Sequence, residues 1–303
     1  MNKTSNAIDT INVCIVGLGL IGGSLGLGLK AKFGANIHVY GVDKDPAAVA
    51  GALARRAVDA AGEELAEGCR TADVVFLCAP VLQIEALAAE ATLHLKPGAV
   101  LTDVGSTKRR LSERLTAVLP PGITYIGGHP ITGKEKSGIM AAEEGLFRDK
   151  WYIIVRGTSV QPKALALLVK LVEGLGAKIA MMDSEDHDRC TAVISHIPHI
   201  AAAALVHLLA MEAESDVWLK LTAGGFRDTT RIASSDPDMW ADICITNQEA
   251  IAGGLRRLQA ILSTVLNAVE QGDREALRNY FLSAKRRRDD LLAQENGESS
   301  GLK

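Results

Sequence analysis

Aromatic residues, a basic excess and paired cysteines are all scarce or missing in this sequence. Phe, Trp and Tyr make up 4% of the 303 residues, and the formal net charge is -3 at pH 7. Nucleic-acid-binding proteins usually present a basic face, so the charge gives no reason to expect such a partner. The five cysteines are odd in number and show no CxxC spacing, which indicates neither a disulfide framework nor a zinc knuckle.

Two further features are lacking near the N-terminus: the apolar core of a signal peptide and an uninterrupted apolar span. Residues 1–10, MNKTSNAIDT, contain no such core. The most apolar window, residues 13–29, is interrupted by six glycines, a pattern that favours strand–turn–helix over a membrane helix. We therefore expect a cytoplasmic protein without a membrane partner.

Short apolar runs alternate with helical patterns in the first half of the chain. The predicted strands are residues 11–17, 37–43, 73–80, 99–105, 123–128 and 151–157, and a last helix–strand pair spans residues 161–182. Near-continuous apolar strands separated by helices indicate a parallel sheet covered on both faces. The sequence thus predicts a Rossmann-type, doubly wound α/β domain over residues 1–182.

From residue 183 onward no strand signal returns. Asp183 or Ser184 can cap a helix, and long Ala/Leu/Ile stretches follow at 186–211, 238–269 and 273–288. These patterns predict an all-helical second domain over residues 183–290 that serves substrate binding and dimerisation. Residues 291–303 are predicted to form a flexible tail.

The stretch VCIVGLGLIGGS predicts a dinucleotide site at the start of the fold. It places three glycines in GxGxxG register after a strand and at the start of a helix, and the next strand ends in a carboxylate. The predicted cofactor-binding residues here are Gly17, Gly19, Leu20, Ile21, Gly22 and Asp43. Asp43 suits a ribose hydroxyl and repels a 2′-phosphate, so NAD is preferred over NADP. The alternative for Asp43 is a helix N-cap before Pro46.

Two later strand ends reach the same edge of the predicted sheet. Ala79, Pro80 and Val81 follow one strand and are predicted to lie beside the bound nucleotide. Ser106 follows the next strand in TDVGSTK, where it serves either the site or simple helix capping.

Histidine and arginine are the candidate reactive groups of the substrate end of the site. His129 follows the strand ITYIGG in the glycine-rich loop GGHPITGKEKSG, and His199 lies in SHIPHIAAAAL beside the helix-bending Pro198. Arg227 and Arg231 lie in the polar segment GGFRDTTRIASSDPDMW. A metal site built from His187, His196 and His199 is disfavoured, because only the last two share a helical face.

These motifs resemble the prephenate dehydrogenase family, which includes the cyclohexadienyl and arogenate dehydrogenases. The matching pieces occur in the family's order and cover residues 11–290: GLGLIGGS, DVGSTK, GGHPITGKEKSG, SHIPH and GGFRDTTRIASSDPDMW. The resemblance implies oxidative decarboxylation of prephenate, arogenate or both, with hydride transfer to NAD+. It also implies a homodimer formed through the helical domain.

The resemblance further implies roles for individual residues. His129 matches the histidine that takes the proton of the substrate's ring hydroxyl, and Ser106 matches the serine that bridges that hydroxyl and the nicotinamide region. Arg231 and His199 match residues of the substrate pocket, the arginine pairing with a carboxylate. Trp240 matches a tryptophan that reaches the pocket from the partner subunit.

The chain departs from the family pattern beside the catalytic loop. Thr132 stands where a small residue is common, and Lys134 replaces a frequent threonine, so both are predicted to influence substrate choice. Lys134 either attracts a second carboxylate or faces solvent. Glu135 gates the pocket, binds an amino substituent of the substrate, or is plain surface charge.

Two other classes of protein stay open on the sequence. A β-hydroxyacid dehydrogenase or imine reductase shares the Rossmann-plus-helical layout, but usually relies on a lysine or an acid in its helical domain. A non-catalytic NAD-binding sensor would need no pairing of His129 with Ser106. No β-rich segment follows the helices, so neither a regulatory domain nor a fused mutase domain is expected.

Overall fold

The structure, a computed structural model, describes residues 10–134, 136–157, 160–212 and 216–295. It divides into two compact units, the first ending at Ile251 and the second beginning at Ala252. The first unit contains the whole sheet and the residues predicted to form the site.

One eight-stranded sheet organises the first unit. Its strands are β1 (Ile11–Val16), β2 (Ile37–Val42), β3 (Ala60–Gly62), β4 (Val74–Leu77), β5 (Val100–Asp103), β6 (Thr124–Pro130), β7 (Trp151–Val155) and β8 (Lys178–Met182). The spatial order is β3-β2-β1-β4-β5-β6-β7-β8. The order reverses between β1 and β4, and ligands of such sheets bind at the carboxyl ends of the strands beside that point.

Within the first unit, helices cover both faces of the sheet, and the described chain contains thirteen α-helices in all. They are α1 (Leu20–Phe33), α2 (Pro46–Ala54), α3 (Leu65–Cys69), α4 (Val81–Thr92), α5 (Arg109–Val118), α6 (Pro162–Gly174), α7 (Ser184–Thr191), α8 (Ile197–Glu212), α9 (Asp216–Lys220), α10 (Gly224–Thr230), α11 (Pro237–Thr246), α12 (Gln248–Glu270) and α13 (Arg274–Glu295). A π-helical turn, Ala192–His196, joins α7 to α8, and a 3-10 turn, Arg231–Ser234, follows α10.

The predicted strands are all present, but the sheet is not wholly parallel. β6 and β7 pair antiparallel, with His129 opposite Ile153, whereas the other neighbours pair parallel. Among the described residues between these two strands there is no long helix to carry the chain back across the sheet, so β7 starts from the end of the sheet at which β6 stops. The short elements β3 and α3 were not predicted, because their sequences show no clear periodic spacing of apolar residues.

Two hydrophobic cores lie on opposite faces of the sheet. One contains Leu25, Phe76 and Leu168, and the other contains Val75, Leu101 and Leu115. On the first face α1 packs closely because its glycines carry no side chain. A Cβ on Gly26 would lie 2.2 Å from the carbonyl oxygen of Ala57, so α1 can approach only with glycine there.

The first compact unit of the structure extends past the predicted domain boundary between residues 182 and 183. The first compact unit continues to Ile251 because α7 and the end of α11 pack against the strand ends and against α5. As predicted, Asp183 caps α7 by accepting a hydrogen bond from the Asp186 N–H at 2.8 Å. The domain boundary at 182 remains a prediction.

The structure adds detail to the predicted helical segments. The apolar stretch 238–269 forms two helices, α11 and α12, separated at Asn247, whose side chain is buried between α7 and α11. Residues 291–295, which were expected to belong to the tail, continue α13 to Glu295. The rest of that tail lies outside the described residues.

The helical stretch Ser184–Glu212 is unusually apolar for a helix that the single chain leaves exposed. One 18-residue window of this stretch has a mean hydropathy of 1.7, and 17% of the window is buried. By length and composition alone, the helix could span a membrane. Its start nevertheless carries a fully buried His187 and the nearly buried Asp188, both engaged with neighbouring elements.

Candidate active site

The glycine motif forms a tight turn between β1 and α1. Gly17 has φ = +94°, and a Cβ on it would lie 2.3 Å from the carbonyl oxygen of Cys78. A Cβ on Gly22 would lie 1.9 Å from the carbonyl oxygen of Gly17. A Cβ on Gly19, in contrast, would meet no atom within 4 Å. Two of the glycines therefore close the turn, and the third leaves open space in front of it.

The first turn of α1 fits the pyrophosphate of a dinucleotide. Gly19 is the N-cap residue and has no side chain to bond the helix N–H groups, and Leu20 and Ile21 begin the helix. Unpaired N–H groups at a helix start attract phosphate, and the space above Gly19 admits it. The residues present thus fit the NAD that the motif predicts.

Asp43 lies at the end of β2, where the ribose of such a cofactor is held. Its Oδ2 accepts the Leu18 N–H at 2.7 Å and its Oδ1 accepts the Asp45 N–H at 2.9 Å. The helix cap that was the alternative for Asp43 is supplied by Asp45, which accepts the Ala47 N–H at 2.9 Å. The carboxylate of Asp43 is therefore anchored beside the glycine turn and does not cap α2.

The turn after β4 adjoins the glycine turn. Cys78 contacts Gly17, and Ala79 and Pro80 follow it directly. Pro80 is the N-cap residue of α4 and Val81 is its first residue. These three predicted cofactor residues, Ala79, Pro80 and Val81, therefore lie at the carboxyl edge of the sheet, next to the reversal of strand order.

The turn after β5 is built around a buried ion pair that the sequence analysis did not identify. Lys108 Nζ lies 2.5 Å from Asp103 Oδ1 and also donates to the carbonyl oxygens of Gly105, at 2.7 Å, and Thr107, at 3.1 Å. The Tyr125 hydroxyl donates to Asp103 Oδ2 at 2.7 Å, and burial, with the nearby Asp103 charge, raises the pKa of Tyr125 well above its usual value.

Ser106 stands on this turn and is half-buried. Within the described ranges no hydrogen bond joins it to His129. Lys108 holds the backbone on both sides of Ser106, so the position of the serine is set by the buried lysine.

His129 is a strand residue and not the loop residue that the sequence suggested. It is the penultimate residue of β6, and its neighbours Gly128 and Pro130 are buried. Its Nδ1 lies 2.8 Å from Nε2 of His187. Burial lowers the pKa of His129 well below its usual value, and the nearby His187 and Lys108 lower it further.

His187 is bonded on its other side to an acid. Its Nδ1 lies 2.7 Å from Asp188 Oδ1. The two Asp188 oxygens also accept backbone N–H groups at the start of α5, from Lys108 at 2.7 Å and Arg109 at 3.0 Å. Burial lowers the pKa of His187, although the hydrogen bond to Asp188 acts in the opposite direction.

Asn247 links this histidine pair to a third buried histidine. Its Nδ2 donates to the carbonyl oxygen of Asp188 at 2.8 Å and lies 3.2 Å from Nδ1 of His196. Burial lowers the pKa of His196 to about 4. The interruption of the helix at Asn247 therefore supplies the side chain that joins α7 to the turn before α8.

His199, Trp240 and Arg231 extend the same cluster. The rings of His199 and Trp240 stack with centroids 3.7 Å apart, and Trp240 meets His196 edge-on at 5.9 Å. Burial lowers the pKa of His199, and the charge of Arg231 lowers it further. The expectation that Trp240 reaches the pocket of the partner subunit stays a prediction, and within its own chain the ring stacks on His199.

The loop residues Thr132 and Lys134 bond the segment that follows them. The Thr132 hydroxyl donates to the carbonyl oxygen of Leu146 at 3.2 Å, and the Lys134 ammonium pairs with Glu143. This ion pair with Glu143 was not among the two alternatives that the sequence left open for Lys134. Glu135 lies outside the described residues.

Sequence reasoning missed the groups behind His129. His187 and Asp188 are adjacent polar residues in a helix that is otherwise bordered by apolar stretches, and Lys108 stands inside the quoted DVGSTK motif. Those signals were present, but only the fold shows that α7 places His187 against the end of β6. The histidines weighed for a metal site, His187, His196 and His199, each bond another group.

Three features of this sheet together define an NAD-dependent oxidoreductase. They are the glycine turn open to phosphate, the carboxylate at the end of β2 and the half-buried histidine at the end of β6. Comparison with known proteins identifies the family within this class. Residues 25–181 match the model of the prephenate dehydrogenase nucleotide-binding domain, and residues 183–283 match that of the prephenate dehydrogenase dimerization domain. The chain belongs to the prephenate dehydrogenase family.

Individual relatives agree with this family. Over 291 residues the chain is 37% identical to the prephenate dehydrogenase of Bacillus subtilis, covering 95% of this chain and 78% of that one. The solved prephenate dehydrogenase of Aquifex aeolicus in complex with hydroxyphenyl propionate and NAD+ is 31% identical, with a TM-score of 0.87 over 94% of this chain and 100% of that one. The arogenate dehydrogenase of Synechocystis is 32% identical, with a TM-score of 0.81 over 92% of this chain and 99% of that one.

Proposed function

We propose that this chain catalyses the NAD+-dependent oxidative decarboxylation of prephenate, arogenate or both, in the biosynthesis of tyrosine. NAD+, when bound, accepts the hydride that leaves the ring carbon bearing the hydroxyl. The residues named below supply everything else: a base, an orienting hydroxyl and anchors for the carboxylates. The observation that carries the proposal is the position of His129, at the end of β6 and next to the turn that presents Ser106.

His129 is the proposed general base. Hydride can leave the ring carbon only as its hydroxyl proton is removed, and a neutral imidazole is a suitable acceptor near neutral pH. Because burial and the nearby Lys108 lower the pKa of His129, the ring is neutral at pH 7 and ready to take that proton. Ser106 orients the hydroxyl, and its position is maintained by Lys108.

Arg231 and His199 are the proposed anchors for the substrate carboxylates. The planar guanidinium of arginine grips a carboxylate at two points, and its charge acts on the adjacent His199. Trp240 stacks on His199 and thereby orients it. Thr132 and Lys134 contribute to substrate choice only indirectly, since their polar groups are bonded to the segment 143–146.

We also propose a homodimer and a cytoplasmic location. The apolar side chains of Leu205, Val206, Leu208 and Met211 on α8 are exposed in the single chain, and this helix lies within the matched dimerization domain. A second copy would cover this face without a membrane. The described cysteines are all free, which suits a reducing compartment.

The test is NAD+ reduction, followed at 340 nm, with prephenate and arogenate supplied in turn and each repeated with NADP+. We expect turnover with at least one substrate and a preference for NAD+, because Asp43 repels a 2′-phosphate. Absence of turnover with both substrates would refute the proposal.

A further inference from the structure

We propose that His187, held by Asp188, is a positioning residue that fixes His129 in the tautomer with its proton on Nδ1 and leaves Nε2 as the basic nitrogen. The tautomer itself is a property of the unliganded chain. Its meaning for the reaction rests on the proposed function, in which His129 is the base.

The direction of the hydrogen bonds follows from Asp188. Its Oδ1 and Oδ2 accept the backbone N–H groups of Lys108 and Arg109, at 2.7 and 3.0 Å. A carboxylate with bonds of this kind acts only as an acceptor. The nitrogen of His187 that faces it, Nδ1 at 2.7 Å, must therefore carry a hydrogen and donate it.

The same reasoning extends one ring further. A neutral imidazole has one N–H, so with Nδ1 protonated the Nε2 of His187 presents a lone pair. This lone pair lies 2.8 Å from Nδ1 of His129, which must then be the donor. The only nitrogen of His129 left without a proton is Nε2. The lowered pKa of both rings, caused first by their burial, favours their neutral forms.

His196 offers an internal contrast in the same cluster. The Asn247 amide nitrogen, a donor, lies 3.2 Å from Nδ1 of His196. Because a donor faces Nδ1, the proton of the neutral His196 ring must be on Nε2. His129 and His196 are therefore expected to hold opposite tautomers within one cluster.

The proton balance of the reaction agrees with this arrangement. The substrate hydroxyl proton moves to Nε2 of His129, and the Nδ1 proton stays on the bond to His187, so His129 becomes an imidazolium. The carboxylate of Asp188, acting through His187, stabilises that charge. Without His187, the Nδ1 proton would lose its acceptor and the other tautomer would compete, which would leave a protonated Nε2 unable to accept.

The first experiment reads the tautomer without any reaction. Long-range 1H–15N NMR spectra of the unliganded chain at pH 8 distinguish protonated from bare ring nitrogens, and His129→Asn and His196→Asn identify the two rings. We expect the proton on Nδ1 for His129 and on Nε2 for His196. A proton on Nε2 of His129 in the wild-type chain would overturn the inference.

The second experiment changes residue 187 and needs a matched pair of variants. His187→Leu offers no acceptor, so we expect mixed tautomers of His129 and a fall in kcat of roughly 100-fold, with KM little changed. His187→Gln presents an amide oxygen at a similar distance, so kcat should stay within about tenfold of wild type. His94→Leu, in the turn after α4, controls for the loss of a histidine elsewhere.

Equal losses in His187→Leu and His187→Gln would overturn the positioning role, as would an unchanged tautomer in His187→Leu. The two proposals can fail separately. If neither prephenate nor arogenate supports turnover while the spectra show Nδ1 protonated, the proposed function is refuted and the tautomer assignment is retained.

Discussion

Lys108 Nζ lies 2.5 Å from Asp103 Oδ1, and neither side chain exposes any surface. A buried ion pair is held by its geometry and by the additional hydrogen bonds around it. Here the lysine bonds two carbonyl oxygens and the aspartate accepts from Tyr125 and from the Gly105 N–H. The pair therefore shapes the turn that carries Ser106, and each partner depends on the other.

Replacing Lys108 by Met should destabilise the chain strongly, because Asp103 would remain buried without its cation. We expect a loss of about 3–5 kcal/mol in the free energy of unfolding, measured by denaturant titration. Lys30→Met is the control, since its ion pair with Asp59 is partly exposed and should be worth about 1 kcal/mol or less. Equal losses in the two variants would contradict a special role for the buried pair.

Gly19→Ala and Gly22→Ala should separate cofactor binding from folding. The Gly19 Cβ would meet no protein atom within 4 Å, so the melting temperature should stay near that of wild type while the Kd for NAD+ rises at least about tenfold. The Gly22 Cβ would lie 1.9 Å from a backbone oxygen, so that variant should melt at a lower temperature. Unchanged NAD+ affinity in Gly19→Ala, measured by calorimetry, would argue against pyrophosphate above Gly19.

His129→Asn should remove the base while leaving the nucleotide site intact. We expect kcat to fall by about 10²–10⁴-fold with the Kd for NAD+ nearly unchanged. Steady-state kinetics and a separate NAD+ titration measure the two effects. If kcat remained within about tenfold of wild type, equivalent to about 1.4 kcal/mol, His129 would not be the base.

Arg231→Gln should act mainly on substrate binding. Loss of a two-point grip on a carboxylate is expected to raise KM for prephenate by at least about tenfold, with a smaller change in kcat. Arg227→Gln, one turn earlier on α10 and exposed, is the matched control and should leave KM near the wild-type value. A change confined to kcat in Arg231→Gln would disprove the anchoring role.

The acid limb of the pH profile should lie below the usual histidine range. Only the neutral form of His129 can act as a base, and burial lowers its pKa from the ordinary value of 6.5. Activity is therefore present above the pKa of the folded chain and is lost as the pH falls through it. The midpoint of the acid limb of kcat/KM is expected below pH 6.5, and a midpoint at or above that value would contradict a lowered pKa of His129.

The sequence predicted the seven longer strands and the helices between them, because apolar runs and glycine turns are local signals. It could not predict that β7 runs antiparallel, since pairing direction depends on which edge the chain returns to. It also missed His187 and Asp188, which lie 58 and 59 residues after His129 in the sequence. The contact of His187 with His129 depends on the packing of α7 against the end of β6.

Helix α1 is enclosed by backbone and side chains at its glycines, as the contact of Gly26 with Ala57 illustrates. A helix packed in this way can neither rotate nor slide without a collision. The phosphate site proposed at its N-terminus is therefore organised in the unliganded chain, so that little chain entropy is left to lose on association. The backbone of α1 is accordingly expected to stay in place when the dinucleotide binds.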